Sequence, residues 1–225
     1  MMHRSHLTRA TGFTLVEVLV ALLIMALMAA MAWQGVDAIV RSRDASQQRV
    51  ETTLRLNTVL AQWEHDLAML QETASVPPLS FDGATLRLTR RAAGGIQLVT
   101  WALRDDQSGS SLHRWASPPY TTRAELQDTW LRSQQFQGSE VGQLRTLDGL
   151  SQWQVYFYRG NGWSNAQSSG DVVTPVVAAA SAPAGAASAP VRQGQALPTG
   201  VRLSLAFAEG GANVGSVIRD TLLGP

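Results

Sequence analysis

Thr11 to Trp33 reads TGFTLVEVLVALLIMALMAAMAW. From Phe13 onward this run carries a single charge, Glu17. About 21 helical residues at about 1.5 Å each cover the roughly 30 Å hydrocarbon core of a bilayer, so the stretch predicts a membrane-spanning helix. A short basic leader, Met1 to Gly12, ends in a glycine immediately before the apolar run. A lone carboxylate then sits near the start of the span. A charge costs about 2.5 kcal/mol or more at the centre of a bilayer and less near its edge. Glu17 therefore asks for a partner.

Downstream, nothing stops the helix for a long way. Gly35 is the only glycine between Phe13 and Glu72, and no proline precedes Pro77. Arg41 to Arg49, RSRDASQQR, is polar nearly all round, the pattern of a helix that crosses solvent. Val50, Leu54, Leu60, Trp63, Leu67 and Leu70 then recur at helical spacing and form an apolar stripe. The expectation is one helix of about 60 residues, ended by Pro77-Pro78.

After Pro78 the period falls to two. Leu86 and Leu88 alternate with Arg87 and Thr89, and Val201, Leu203, Leu205 and Phe207 alternate with Arg202, Ser204 and Ala206. IQLVTWALR, Ile96 to Arg104, is apolar on both faces and predicts a central strand. Ser111 to Ala116, Trp153 to Arg159 and Gly215 to Leu222 are further strands. Asp82-Gly83, Gly94-Gly95, Ser108-Gly109, Gly160-Asn161-Gly162 and Gly210-Gly211 supply the turns. Arg123 to Phe136 reads as a short helix. Residues 164–196 are rich in Ala, Pro and Ser. They lack the large side chains needed to offset ordering entropy, so a flexible insertion between two strands is expected.

The formal net charge of +1 gives no reason to expect a nucleic-acid partner. Cysteine is absent, which excludes disulfides and thiolate metal sites. Arg4 and Arg9 precede the span, and no acid lies in the leader. The positive-inside tendency then keeps the N-terminus cytoplasmic and sends the C-terminus out, an inference that Arg41 and Arg43 weaken slightly. The rival reading is a secretory signal peptide cut after Ala30-Met31-Ala32, with Trp33 as the mature start. The length of the apolar run and the early Glu17 count against it.

No catalytic motif appears, and no enzyme activity, cofactor or metal is expected. His65 beside Asp66 reads as a solvated or stripe-edge residue, and His113 has no acid or cysteine near it in sequence. Asp105-Asp106-Gln107-Ser108-Gly109 offers oxygen ligands but lacks the spacing of a calcium loop.

Gly12-Phe13-Thr14-Leu15-Val16-Glu17 resembles the N-terminal signature of type IV pilin-like precursors. The resemblance implies that prepilin peptidase cuts between Gly12 and Phe13 and methylates the amine of Phe13. It also implies that Glu17 meets the N-terminal amine of a neighbouring subunit in a filament. The implied fold is α+β, a pilin-like lollipop. One long N-terminal helix, with a membrane half and an amphipathic half, packs on antiparallel β-sheets of a C-terminal head. The expected divisions are a cytoplasmic leader at 1–12, a transmembrane half at 13–33, a periplasmic half at 34–74, and a β-rich periplasmic head at 75–225.

Within that family the chain resembles the J-type minor pseudopilins of type II secretion. The motifs that carry this are Ala32-Trp33-Gln34-Gly35, Leu112-His113-Arg114, Trp153-Gln154-Val155-Tyr156-Phe157-Tyr158 with Trp163, and Leu197-Pro198-Thr199-Gly200-Val201. The implied partners are the I, K and H types, the major pseudopilin, prepilin peptidase and inner-membrane lipid. The implied place is the tip of the pseudopilus, which primes assembly and supports export. A minor pilin at the tip of a type IV pilus, serving assembly, adhesion or DNA uptake, is the alternative. Leu54, Trp63, Tyr156 and Tyr158 are the candidate partner-interface residues.

Overall fold

The computed structural model describes residues 12–106, 109–138, 140–166, 197–211 and 213–224. Helix α1 runs unbroken from Leu15 to Ala68. Compactness divides the chain into one unit ending at Glu51 and a second from Thr52 onward. In the first unit every described residue is exposed, as the apolar run and the polar neck both lead one to expect. The second unit takes in the last turns of α1. The compact head thus begins inside the helix, not at residue 75.

The strands are β1 (Leu79–Phe81), β2 (Thr85–Ala92), β3 (Gly95–Asp106), β4 (Gly109–Ala116), β5 (Leu144–Asp148), β6 (Leu150–Arg159), β7 (Gly162–Asn165), β8 (Gly200–Phe207) and β9 (Ser216–Leu222), with helix α2 at Arg123–Ser133. They form a five-stranded sheet, β1-β2-β3-β4-β5, and a four-stranded sheet, β7-β6-β8-β9, with every pair antiparallel. This is an α+β fold in which a long N-terminal helix packs on antiparallel sheets. The strand with apolar residues on both faces is indeed central. Val99 and Trp101 on one face of β3 join the main core with Val59, Trp63 and Leu67 of α1 and the inward residues of β6 and β8. Leu98 on the other face joins a second cluster with Leu126 and Trp130 of α2. Thr122 caps α2, accepting from the Glu125 amide while its hydroxyl bonds the Glu125 carboxylate at 2.6 Å.

Three expectations need correcting. Helix α1 ends at Ala68 rather than near residue 74. Beyond it the backbone leaves the helix for the rim of the sheet: the Gln71 amide donates to Thr89 O at 2.8 Å, and the Arg91 amide to Met69 O at 2.8 Å. The Ala/Pro/Ser insertion cannot begin at 164, because Ser164 and Asn165 belong to β7 and Ala166 is buried; the rest of it, 167–196, and the leader 1–11 lie outside the described residues. The stripe of α1 is buried only toward its C-terminal end: Trp63 and Leu67 face inward with Val59 and Asp66, and Leu60 and Leu70 pack on the core, whereas Val50 and Leu54 are exposed.

The hairpin between β2 and β3 shows why its turn is glycine. Gly95 has a φ of 148°, and a Cβ there would stand 2.3 Å from Tyr120 O. The Ile96 amide bonds that same carbonyl at 2.9 Å, so the backbones are too close for any side chain.

Candidate functional site

The N-terminal signature sits at the start of α1. Phe13 is exposed, and among the described residues, its chain neighbours apart, a Cβ added to Gly12 would meet nothing within 4 Å. Glu17 is not left bare. Its Oε2 accepts from the Thr14 amide at 2.9 Å and from the Thr14 hydroxyl at 2.9 Å, and Thr14 Oγ1 in turn accepts from the Glu17 amide at 3.3 Å. This is the reciprocal arrangement of a capping box, with threonine before the helix and glutamate three residues on. It satisfies helix-end donors that would otherwise face the apolar phase, and a carboxylate in the first turn suits the helix dipole. The local spacing Thr14-x-x-Glu17 was available in the sequence and signals this cap.

Residues 7–33 match the prokaryotic N-terminal methylation motif. That match supports a type IV pilin-like, prepilin-processed protein. A search of curated proteins gives no match. The motif covers the end of the leader and the span, and helix α1 is long and apolar enough to cross a membrane, with none of its apolar window buried. Together they support a membrane-anchored, single-pass chain. The motif is consistent with processing by prepilin peptidase and with assembly among other pilin-like subunits.

The four candidate interface residues fall in different places. Leu54 is 59% exposed. Tyr156 and Tyr158 are half-buried on the outward face of β6, where Tyr156 bonds Gln154 and Tyr158 packs on Trp163 with ring centroids 5.2 Å apart. Trp63 must be withdrawn from any interface. It is only 1% exposed and lies edge-on to Trp101 at 5.7 Å and to Trp153 at 6.3 Å. Its aromatic bulk fills the space between helix and sheets.

One cluster escaped the sequence reading altogether. Asp66, on the buried face of α1, has 0% exposure. Its carboxylate accepts from Arg114 Nε at 2.8 Å and Nη2 at 2.9 Å, Arg90 Nη1 at 2.7 Å, Trp101 Nε1 at 2.9 Å and Gln62 Nε2 at 2.9 Å. Arg90 is held further by Gln97 Oε1 at 2.9 Å, and the Arg114 guanidinium lies 5.8 Å from the Trp101 ring centroid. A lone buried carboxylate would be prohibitive, but this one is ion-paired and its oxygens are satisfied. Its partners lie on β2, β3 and β4, so it ties the helix to three strands at once.

His65 is exposed. Asp105 is bonded by Ser110, and Asp106 pairs with Arg145 at 2.6 Å. Among the described residues no three His, Cys, Asp or Glu side chains group as metal ligands would.

His113 bonds Ser111 Oγ at 2.9 Å on β4. Burial, followed by the Arg145 and Arg104 charges, holds its imidazole below the ordinary value of 6.5, against a smaller opposing pull from Asp106 and Asp148. A base with a lowered pKa binds protons more readily when unfolded. Its contribution to stability is therefore complete above pH 6.5 and is lost as pH falls toward the folded value. Denaturant midpoints should drop from pH 7.5 to pH 5.5, and His113→Gln should flatten that part of the dependence.

Proposed function

We propose that this chain is a J-type minor pseudopilin of a type II secretion system, a non-enzymatic subunit of the pseudopilus tip. Prepilin peptidase cuts it after Gly12 and methylates Phe13. The apolar half of the helix holds the subunit in the inner membrane, with the leader cytoplasmic and the β-rich head periplasmic. The I, K and H types and the major pseudopilin are its partners, and its role is to prime assembly and support export. The observation that carries the reading is the methylation motif on an apolar helix that continues unbroken into a β-rich head. The motif supports the pilin-like part. The J-type assignment rests on the order of the motifs around Trp33, His113, Trp153 and Pro198.

The test is the N-terminus of the mature protein together with its partners. N-methylated Phe13, and co-purification with I- and K-type subunits, are the expected results. Trp33 as the first residue would overturn the reading. Co-purification with pilus subunits alone would move the chain to a type IV pilus tip. Glu17 supplies a further test. Its carboxylate, bonded to Thr14 within the chain, is also the acceptor proposed for a neighbour's amine. Glu17→Ala should leave cleavage intact and weaken the helix start by about 1 kcal/mol. It should lower incorporation into the tip far more than that loss explains, as measured by subunit recovery in sheared filaments. Normal incorporation would remove the electrostatic account.

A further inference from the structure

A cleft of about 300 Å³ opens between α2 and the end of β4. Trp115 and Tyr120 reach it from β4 and the loop that follows, Thr129 and Arg132 from α2, and Phe136 and Glu140 from the chain beyond α2. Its walls are already fixed. Leu126 and Trp130 anchor α2 in the second core cluster, and Trp115 and Tyr120 pack against the same cluster. The Trp115 indole donates to Val141 O at 3.0 Å and lies edge-on to Phe136 with ring centroids 4.8 Å apart. That side of the cleft is apolar, with its one polar atom satisfied.

The other side is a relay of donors. Arg132 Nη2 donates to Thr129 Oγ1 at 3.0 Å, and the Thr129 hydroxyl donates to the Tyr120 hydroxyl at 3.0 Å. A guanidinium has donors only, so the direction of the relay is set and the Tyr120 hydrogen is left to donate onward. Thr129 is only 2% exposed, so its oxygen holds the guanidinium and the phenol as neighbours. Among the described residues neither of them meets a carboxylate. Glu140 also lines the cleft, but its oxygens accept from the Gln137 amide at 2.7 Å and the Gly138 amide at 2.9 Å. The Gln143 side chain, oriented to satisfy both its neighbours, gives Glu140 a third donor at 2.9 Å. The charge left unanswered in the cleft is therefore positive.

We propose that this cleft binds an apolar carboxylate, whose acid group accepts from Arg132 and Tyr120 while its hydrocarbon lies against Trp115 and Phe136. Charge complementarity selects the acid. The two rings select what carries it: a bare anion gains nothing from Trp115 and Phe136, and bare hydrocarbon gains nothing from Arg132. The volume is at the bottom of the range for ligand pockets, about 300–1,000 Å³, so the cleft takes a group the size of one large apolar side chain. The same chemistry occurs in a free aryl or alkyl acid and at the C-terminus of a polypeptide that ends in an apolar residue. The cleft lies wholly within the unit from Thr52 onward. It goes beyond the secretion reading and does not depend on how the N-terminus is processed.

The test is titration calorimetry on the full chain in detergent, with N-acetylphenylalanine as the probe. Saturable binding with a Kd of about 1 mM or tighter is expected. N-acetylphenylalaninamide has the ring without the charge, and acetate has the charge without the ring. Each should bind about tenfold more weakly than the acid. Arg132→Gln should weaken the acid about tenfold and leave the amide unchanged, and Tyr120→Phe should weaken the acid about threefold. Arg132 is exposed, so its replacement should leave the urea midpoint where it was. A short peptide ending in phenylalanine separates the two sources. Affinity equal to that of N-acetylphenylalanine makes the ligand a chain end, and affinity about tenfold weaker makes it a free acid; both support the site. No saturable binding of acid or peptide, equal affinity for acid and amide, or undiminished binding by a folded Arg132→Gln would each overturn the proposal.

Discussion

Asp66→Ala is expected to lower the stability of the sheet-bearing unit by about 3–5 kcal/mol, because it leaves two buried guanidinium groups without their carboxylate. Arg90 and Arg114 keep 15% and 11% side-chain exposure, too little for water to replace what Asp66 provides. Trp101 Nε1 loses its acceptor at the same time, at a further penalty of about 1–3 kcal/mol if no water reaches it. These losses overlap and do not simply add. Against a domain stability of about 5–15 kcal/mol the change is large. Urea unfolding followed by tryptophan fluorescence would measure it, since Trp63 and Trp101 lie beside the cluster. Asp66→Asn should also destabilise, because an amide turns donors toward donors. Removing Asp66 together with one of its two cations, in Asp66→Leu with Arg114→Met, should cost less than the two single losses summed, with Arg90 the one charge left in the cluster. A loss under about 1 kcal/mol for Asp66→Ala would mean that the carboxylate is not desolvated as the geometry shows.

The network does more than contribute energy. A hydrophobic helix face tolerates sliding, since one apolar side chain can replace another in a groove. A carboxylate that must meet Arg90, Trp101 and Arg114 together has one acceptable position. The cluster thus fixes the rotation and height of the last turns of α1 on the five-stranded sheet. Fixing that rotation also decides which residues remain outside, and Leu54 is among them.

Local patterning made much of this fold readable. The alternation of Val201, Leu203, Leu205 and Phe207 placed β8 correctly, because one face of that strand is buried throughout. Apolar residues on both faces of β3 correctly announced a strand covered on two sides, one cover being α2. Strand β1 escaped notice because it has three residues. Strand β5 escaped because Leu144 to Asp148 shows no clean alternation, and its inward Leu147 gains meaning only beside β4. Asp66 was invisible for a different reason. Its partners lie 24, 35 and 48 residues away, and no local spacing links them. An acid within an apolar stripe reads as an interruption until three strands bring its cations to it. Trp63 was misjudged by the same limit, since helical spacing gives a stripe but not the depth to which each member sinks. The cap formed by Thr14 and Glu17 is the opposite case: three residues apart, it was legible without any tertiary information.

Gly12→Val is expected to abolish processing outright, and the structure removes the obvious competing explanation. Among the described residues, its chain neighbours apart, no atom lies within 4 Å of a Cβ built at Gly12, and its φ is outside the left-handed region that disfavours side chains. Valine there meets no clash among the described residues. Any loss must arise where the peptidase holds the scissile bond, at which a β-branched side chain stiffens the backbone and crowds the approach. Gly12→Ala, which adds one methyl, should be cut more slowly but not blocked. Intact mass of protein extracted from membranes would separate the outcomes, since the uncut chain is heavier by the segment that ends at Gly12. The consequence reaches further than cleavage. On the proposed reading, the amine that Glu17 meets in a neighbour is that of Phe13. In the uncut chain the nitrogen of residue 13 is an ordinary amide with no charge to offer. Gly12→Val should therefore insert in the membrane yet fail to enter filaments, and Glu17→Ala added to it should make assembly no worse. If the doubly substituted chain assembled less well than Gly12→Val alone, Glu17 would have a role in assembly separate from the processed amine.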